Sequence, residues 1–217
     1  MKPSSRWDRI SISNSVKFLP ADTIGKCSAM IRASAGSSSN TIRTVSGRSA
    51  ALNKPKGYVS AIIDNVYPPV TDLIPEYAFA KLNPVGRLDV DTTGALLLTN
   101  DGDLAHKLIS PKYHVDKVYE VEVDKKLDPK LVEIFKKGIE LDGELTMPAD
   151  LVLLNEKHAE LTLHQGKFHQ VKRMFKKCEY NVLGLSRKAF AFLTVEGLQL
   201  GEHRELTVEE ENKLKSL

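Results

Sequence analysis

Residues 86–103 read Gly86-Arg87-Leu88-Asp89-Val90-Asp91-Thr92-Thr93-Gly94-Ala95-Leu96-Leu97-Leu98-Thr99-Asn100-Asp101-Gly102-Asp103. A polar turn, Asn83-Pro84-Val85-Gly86, leads in, because Pro and Gly punctuate local structure. Arg87 and Asp89 are two apart, so in an extended segment a guanidinium and a carboxylate share one surface and Leu88 turns away. The short apolar run Ala95–Thr99 reads as a buried strand. Asn100 to Asp103 follow with turn chemistry and acids suited to a helix start. A carboxylate at the mouth of a rigid strand suits a nucleophile or a base. Composition alone favours a plainer reading, a solvated loop with one ion pair, since surface pairs are common and weak.

Working outward, the chain becomes globular at Leu52. Pro55-Lys56-Gly57 is a turn, and Tyr58 to Ile63 has strand composition. Thr71 to Ile74 suits a helical turn. Gly102 to Leu108 reads as a helix with Leu104, Ala105 and Leu108 on one face. Val118 to Val123 alternates apolar and polar, a strand with one wet face. Leu127 to Gly138 reads as a helix, with Asp128 as cap, Pro129 at its first position and Gly138 at its end. Leu151–Leu154 and Glu160–Leu163 read as a strand pair, His169–Cys178 as a helix, and Asn181–Leu185 and Phe190–Val195 as strands. Thr207 to Leu217 is a C-terminal helix, with Thr207 and Glu210 forming a capping box. Strands often follow one another directly. The expected class is α+β, a mixed, largely antiparallel sheet with flanking helices.

The first fifty residues differ. They hold twelve serines and eight Lys or Arg against two acids, while the rest of the chain carries 23 basic and 26 acidic residues. An RNA partner therefore has to be argued from local clusters rather than from the net charge of +3. Ser37-Ser38-Ser39-Asn40 reads as linker or disorder. Two domains of unequal kind are expected: a basic, poorly ordered segment over residues 1–48 and a folded domain, which the resemblance below makes the catalytic one, over 49–217. The first segment is either a basic arm suited to nucleic acid or a shifted reading frame upstream of an intact domain. No apolar run approaches the ~18 residues of a membrane helix, no signal peptide is visible, and Cys27 and Cys178 make no metal spacing. His164 and His169 lack a third ligand. A cytoplasmic protein with no metal and no membrane partner is expected.

Three blocks in order resemble the RsuA-type pseudouridine synthases: Leu52-Asn53-Lys54-Pro55-Lys56-Gly57-Tyr58, then Gly86–Asp89 with Thr93–Asn100, then Gly166-Lys167-Phe168-His169-Gln170-Val171-Lys172-Arg173-Met174-Phe175. The resemblance spans roughly residues 51–217. It implies a bent central sheet with the catalytic cleft across it. It also implies cofactor-free isomerisation of uridine to pseudouridine in ribosomal RNA, with Asp89 as the nucleophile. A covered carboxylate tends to stay protonated, so a neighbouring cation is needed to keep it ionised. Lys172 is the expected partner, with Arg173 sharing that role or holding phosphate. Both lie on a basic helix face opposite Val171, Met174 and Phe175, and a merely solvated basic face has the same pattern. Lys117-Val118-Tyr119 resembles the family strand whose tyrosine stacks on the target base, although a core tyrosine fits equally. Arg87, Lys54, Lys56, His169 and Gln170 are expected to contact RNA. Leu185 and Arg187 sit where the family closes its pocket.

Phe168 to Met174 is closer to the small-subunit (16S) rRNA enzymes than to the large-subunit (23S) ones. The expected partner is 16S rRNA or a small-subunit assembly intermediate, engaged by a monomer. A non-catalytic RNA-binding protein of the same fold is argued against by Asp89, Tyr119 and Lys172 occurring together. A glycoside hydrolase using Asp89 and Asp91 as paired carboxylates leaves the basic third block without a purpose.

Overall fold

The computed structural model describes residues 47–217, which belong to one compact unit spanning Ile42–Leu217. The expectation for residues 1–48 falls outside these residues, apart from Gly47 and Arg48. Both of those donate backbone N–H groups to Asn100 Oδ1 at 2.9 Å.

The strands in chain order are β1 (Ser49–Lys54), β2 (Asn83–Pro84), β3 (Thr93–Thr99), β4 (Lys117–Val123), β5 (Glu140–Leu141), β6 (Glu144–Leu145), β7 (Asp150–Leu153), β8 (His158–Leu163), β9 (Val182–Phe190), β10 (Leu193–Thr194) and β11 (His203–Glu205). The helices are α1 (Gly102–Ile109), α2 (Lys130–Lys137), α3 (Gln170–Lys177) and α4 (Val208–Ser216), with 3-10 segments at Val70–Leu73, Pro75–Ala80 and Pro111–Tyr113. One open sheet runs β11-β1-β3-β9-β4-β8-β7, with β2 on β3 and β10 on β9. All its strand pairings are antiparallel except β3–β9, which is parallel over Thr93↔Ser186 and Gly94↔Arg187. The expected α+β, largely antiparallel architecture is the one observed.

Strand β3 is apolar over Ala95–Leu98 because it is covered on both faces. Leu96 and Leu98 join a core with Leu52, Val121, Leu161, Phe135 and Phe175. Leu97 joins a second core on the other face with Leu104, Leu108 and Leu214 from α1 and α4. In the first core, α2 meets α3 through the Phe135 and Phe175 rings, 4.9 Å between centroids. The helix ends are chemically specified. Asp101 caps α1 by accepting from Leu104 N–H at 3.0 Å. Asp128 accepts from Lys130 N–H at 2.9 Å ahead of α2. Thr207 and Glu210 form the reciprocal capping box of α4.

Two expectations are corrected. Tyr58–Ile63 is not a strand: only Val59 pairs, with Pro69. Asp64 Oδ1 takes the N–H groups of Val66 and Tyr67, both at 2.8 Å, and closes the chain into a turn. Ile62 and Ile63 are left exposed on it. The two strands expected over Asn181–Leu185 and Phe190–Val195 are instead one long β9 plus the short β10. Ser186-Arg187-Lys188 looks like a polar break but runs through the sheet between β3 and β4.

One glycine makes the seam between β3 and β9 possible. Gly94 has φ +103°, and a Cβ there would lie 2.2 Å from the carbonyl oxygen of Arg187. No other residue lets the two backbones approach so closely.

Candidate active site

The loop carrying Asp89 is fixed through its backbone before its side chain does anything. Lys54, at the end of β1, is fully buried, and its ammonium donates to the carbonyls of Asp89 (3.0 Å), Thr92 (2.9 Å) and Pro55 (3.1 Å). Ser60 Oγ bonds both N–H and C=O of Leu88 at 3.0 Å. Gly57 N–H donates to Val90 C=O at 2.8 Å, and Thr92 N–H to Asp89 C=O at 3.0 Å. Leu88 packs into the core while Arg87 stays exposed, as the two-residue spacing requires. Lys54 is therefore corrected from a surface RNA contact to a buried clamp. Burial pushes its ammonium down to about 8, against the raising influence of Asp91 and Asp89.

Helix α3 brings the cations to the carboxylate. Lys172 Nζ lies 3.0 Å from Asp89 Oδ2 and 2.6 Å from Asp91 Oδ1, and His169 Nε2 lies 3.3 Å from Asp89 Oδ1. The side chains of Asp89 and Lys172 are 27% and 25% exposed, so the pair sits at a partly covered position and not in a dry core. Burial alone lowers the affinity of Lys172 for its proton. The hydrogen bonds to Asp91 and Asp89 outweigh it and hold the ammonium above the usual lysine value. Burial raises the Asp91 carboxyl, but the bond and charge of Lys172 bring it below the ordinary carboxylate value.

His169 opens α3 in the left-handed conformation, φ +47°. Gln170 is buried, its Oε1 accepts from Lys167 N–H at 2.8 Å, and its Nε2 faces Met174 sulfur at 3.6 Å. It shapes the turn before α3 and also lines the cleft described below. Phe168 is 76% exposed and stacked on the His169 ring, 3.8 Å between centroids.

Asp89, Arg87, Tyr119, His169, Lys172, Leu185 and Arg187 all line one cleft of about 470 Å³. It opens against the sheet at β4 and β9, where Tyr119 stands beside Arg187. Tyr119 and Leu185 are both nearly buried members of the apolar core, so they present ring and methyl surface to the cleft. Arg187 is 2% exposed and donates from Nε to Ala95 C=O at 2.7 Å, so it is a floor residue of the cleft. Three expected residues lie off the cleft lining: Lys54 is buried behind the Asp89 loop, Lys56 is exposed on its turn, and Arg173 pairs with Asp142 on the β5–β6 turn and with Phe168 C=O.

Sequence reasoning missed Lys117, which lines the same cleft. Its signal was present, since Lys117, Tyr119 and Val121 share the inward face of an alternating strand. It also missed the Ser60 clamp, because a serine bonding a backbone 28 residues away leaves no local pattern. Among the described residues no cluster of His, Cys, Asp and Glu could hold a metal ion, and no helix is long and apolar enough to cross a membrane.

The family described as RNA pseudouridylate synthase matches residues 49–177. The chain is 43% identical over 162 residues to the ribosomal small subunit pseudouridine synthase A of Vibrio cholerae, covering 73% of this chain and 70% of that one. It is 42% identical over 177 residues to the ribosomal large subunit pseudouridine synthase B of Bacillus subtilis, covering 76% and 70%. A crystal structure of a pseudouridylate synthase superposes with a TM-score of 0.73 at 40% identity, over 77% of this chain and 74% of the other. The matched segment carries the clamped Asp89 loop, the β4 tyrosine and the α3 cations together, and the chain belongs to the RNA pseudouridylate synthase family.

Proposed function

We propose that this protein converts a uridine of ribosomal RNA to pseudouridine, with Asp89 as the covalent nucleophile. The observation that carries the reading is the Asp89–Lys172 pair, 3.0 Å apart on a rigidly clamped loop in a cleft large enough for a nucleotide. Lys172 supplies positive charge to one oxygen of the carboxylate, and the His169 ring Nε2 lies 3.3 Å from the other. Tyr119 offers a flat face to a flipped-out base, with Leu185 across the cleft lining. Arg87 at the exposed rim, with Lys56 and Arg173, supplies phosphate contacts that set affinity without sequence choice.

The 16S rRNA of the small subunit is the proposed substrate, engaged by a monomer in the cytoplasm. Support comes from the block Phe168-His169-Gln170-Val171-Lys172-Arg173-Met174 and from the Vibrio cholerae relative. The Bacillus subtilis relative keeps 23S rRNA as the second reading.

Tritium release from RNA labelled at uridine C5 tests both levels. Wild type releases tritium from 16S rRNA or its assembly intermediates, while Asp89→Asn, which keeps shape and loses the anion, releases none and still binds RNA. Persistent release by Asp89→Asn overturns the nucleophile. Release from 23S rRNA alone moves the substrate to the large subunit.

A further inference from the structure

Two more cations line the cleft, and neither is explained by the nucleophile's needs. Arg187 on β9 keeps its Nη2 buried without a hydrogen-bond partner, although its Nε is bonded to Ala95 C=O. Lys117 on β4 is 9% exposed and donates to Val115 C=O at 2.6 Å. The guanidinium carbon of Arg187 is 5.0 Å, and the Lys117 ammonium 5.5 Å, from the centroid of one and the same Phe190 ring. The carboxylate that most favours the Lys117 charge is Asp116, which is engaged by His164 at 2.7 Å. Among the described residues neither cation has an ion-pair partner. Burial, and after it the Arg187 charge, pushes Lys117 down to about 8, so the ammonium is largely charged at neutral pH. Two like charges buried together without a counter-ion cost stability, so the fold carries them at a loss unless negative charge arrives in the cleft.

We infer that Arg187 and Lys117 form a positive floor whose field stabilises the negative charge that the uracil ring takes up during the reaction. This rests on the function proposed above. If an Asp89 oxygen bonds to ribose C1′, the C1′–N1 pair moves onto N1 and spreads over O2 and O4. If it adds instead to C6, the C5–C6 π pair moves through C4 onto O4, and the C1′–N1 bond then breaks with its pair on N1, which takes up a proton as the sugar leaves as the oxocarbenium. Either way the ring becomes anionic only between the two neutral ends. Bonding of C5 to C1′ and departure of Asp89 restore the carboxylate, the C5 proton goes to solvent, and N1 ends protonated. Charge fixed in place before the reaction acts selectively on that intermediate stage. Both residues act through the low-dielectric floor, on the β4–β9 strand pair that also carries Tyr119.

The test compares wild type, Arg187→Lys, Arg187→Met and Lys117→Met, each as the full chain, on RNA carrying uridine or 5-fluorouridine at the target position. Single-turnover cleavage of the original N1–C1′ bond, RNA affinity and melting temperature are measured together. The two Met variants lose about 10²-fold in rate on uridine, with RNA affinity unchanged, and Arg187→Lys recovers most of the loss. On 5-fluorouridine the Met variants lose roughly tenfold less, because the fluorine itself stabilises the anionic ring. Equal losses on the two bases, or losses that follow RNA affinity or melting temperature, overturn the inference and leave a structural role. If wild type is inactive on every ribosomal RNA, or Asp89→Asn stays active, the parent function falls instead.

Discussion

Lys172 places its ammonium 3.0 Å from Asp89 Oδ2 from the first turns of a helix, while its other contact, Asp91, is exposed to solvent. The lysine is shared, but only one partner faces the cleft. Replacing it with Met leaves the Asp89 carboxylate without its lysine, with the His169 ring Nε2 still 3.3 Å away. Lys172→Met is expected to lower turnover at saturating RNA by about 10- to 100-fold and to move the acidic limb of the pH–rate profile to higher pH. Rate against pH checks it; a lowered rate with an unmoved limb assigns Lys172 to RNA binding.

Lys54 is expected to matter for stability before chemistry. Lys54→Met strips a donor from the carbonyls of Pro55, Asp89 and Thr92; Asp89 C=O keeps the Thr92 N–H, whereas Thr92 C=O is left in a buried position. Unsatisfied buried acceptors cost about 1–3 kcal/mol each, offset in part by removing a desolvated charge. A net loss of about 3 kcal/mol lowers Tm by roughly 10 °C. Calorimetry checks the value, and an unchanged melt shows that water can replace the clamp.

Gly94 and Gly143 both have positive φ, +103° and +80°, but differ in surroundings. Gly94→Ala puts a methyl 2.2 Å from Arg187 C=O, whereas Gly143→Ala meets nothing within 4 Å. Gly143→Ala is expected to cost about 1 kcal/mol of backbone strain. Gly94→Ala is expected to cost more than about 4 kcal/mol or to prevent folding. Equal melting temperatures for the two variants contradict the close approach.

The buried lysines set a stability window. Burial holds Lys54 and Lys117 at about 8 against an ordinary value of 10.5. Between those limits the unfolded chain keeps protons that the folded one has lost, so these groups make stability rise with pH there. Below about pH 8 both states are protonated and the full desolvation penalty applies. The melting temperature of Lys117→Met relative to wild type is therefore expected to be highest below pH 8 and to decline toward pH 10. A difference that is flat with pH contradicts it.

What was legible in the sequence follows the range of the forces. Alternation placed β4, the Thr207–Glu210 box placed α4, and the apolar run Ala95–Thr99 placed β3, because each is written within a few residues. Lys54 and Gln170 read as RNA-facing groups because their residue types are usually exposed, and the burial of Arg187 had no local signal either. What buries them is distant: Ala95 C=O for Arg187, and the Asp89 loop for Lys54. The misread strand at Tyr58–Ile63 has the right composition, but Asp64 captures two backbone N–H groups and turns it. The Asp89–Lys172 pairing was anticipated from resemblance alone; no spacing rule links a loop to a helix so far along the chain.

The parallel seam at Thr93↔Ser186 and Gly94↔Arg187 has a kinetic consequence. On one side, β1, β2 and β3 pair with one another, joined by β11; on the other, β4, β7, β8 and β9 do. Each side can collect much of its pairing without the other, while the seam closes a loop of more than ninety residues, the slow kind of contact. Asp89 belongs to the first side, and Tyr119 and Arg187 to the second. During refolding, strand signal is recovered before the seam zips, and catalytic competence arrives only with it. A half-assembled chain thus carries the proposed nucleophile apart from Tyr119 and Arg187, and is expected to bind RNA without acting on it.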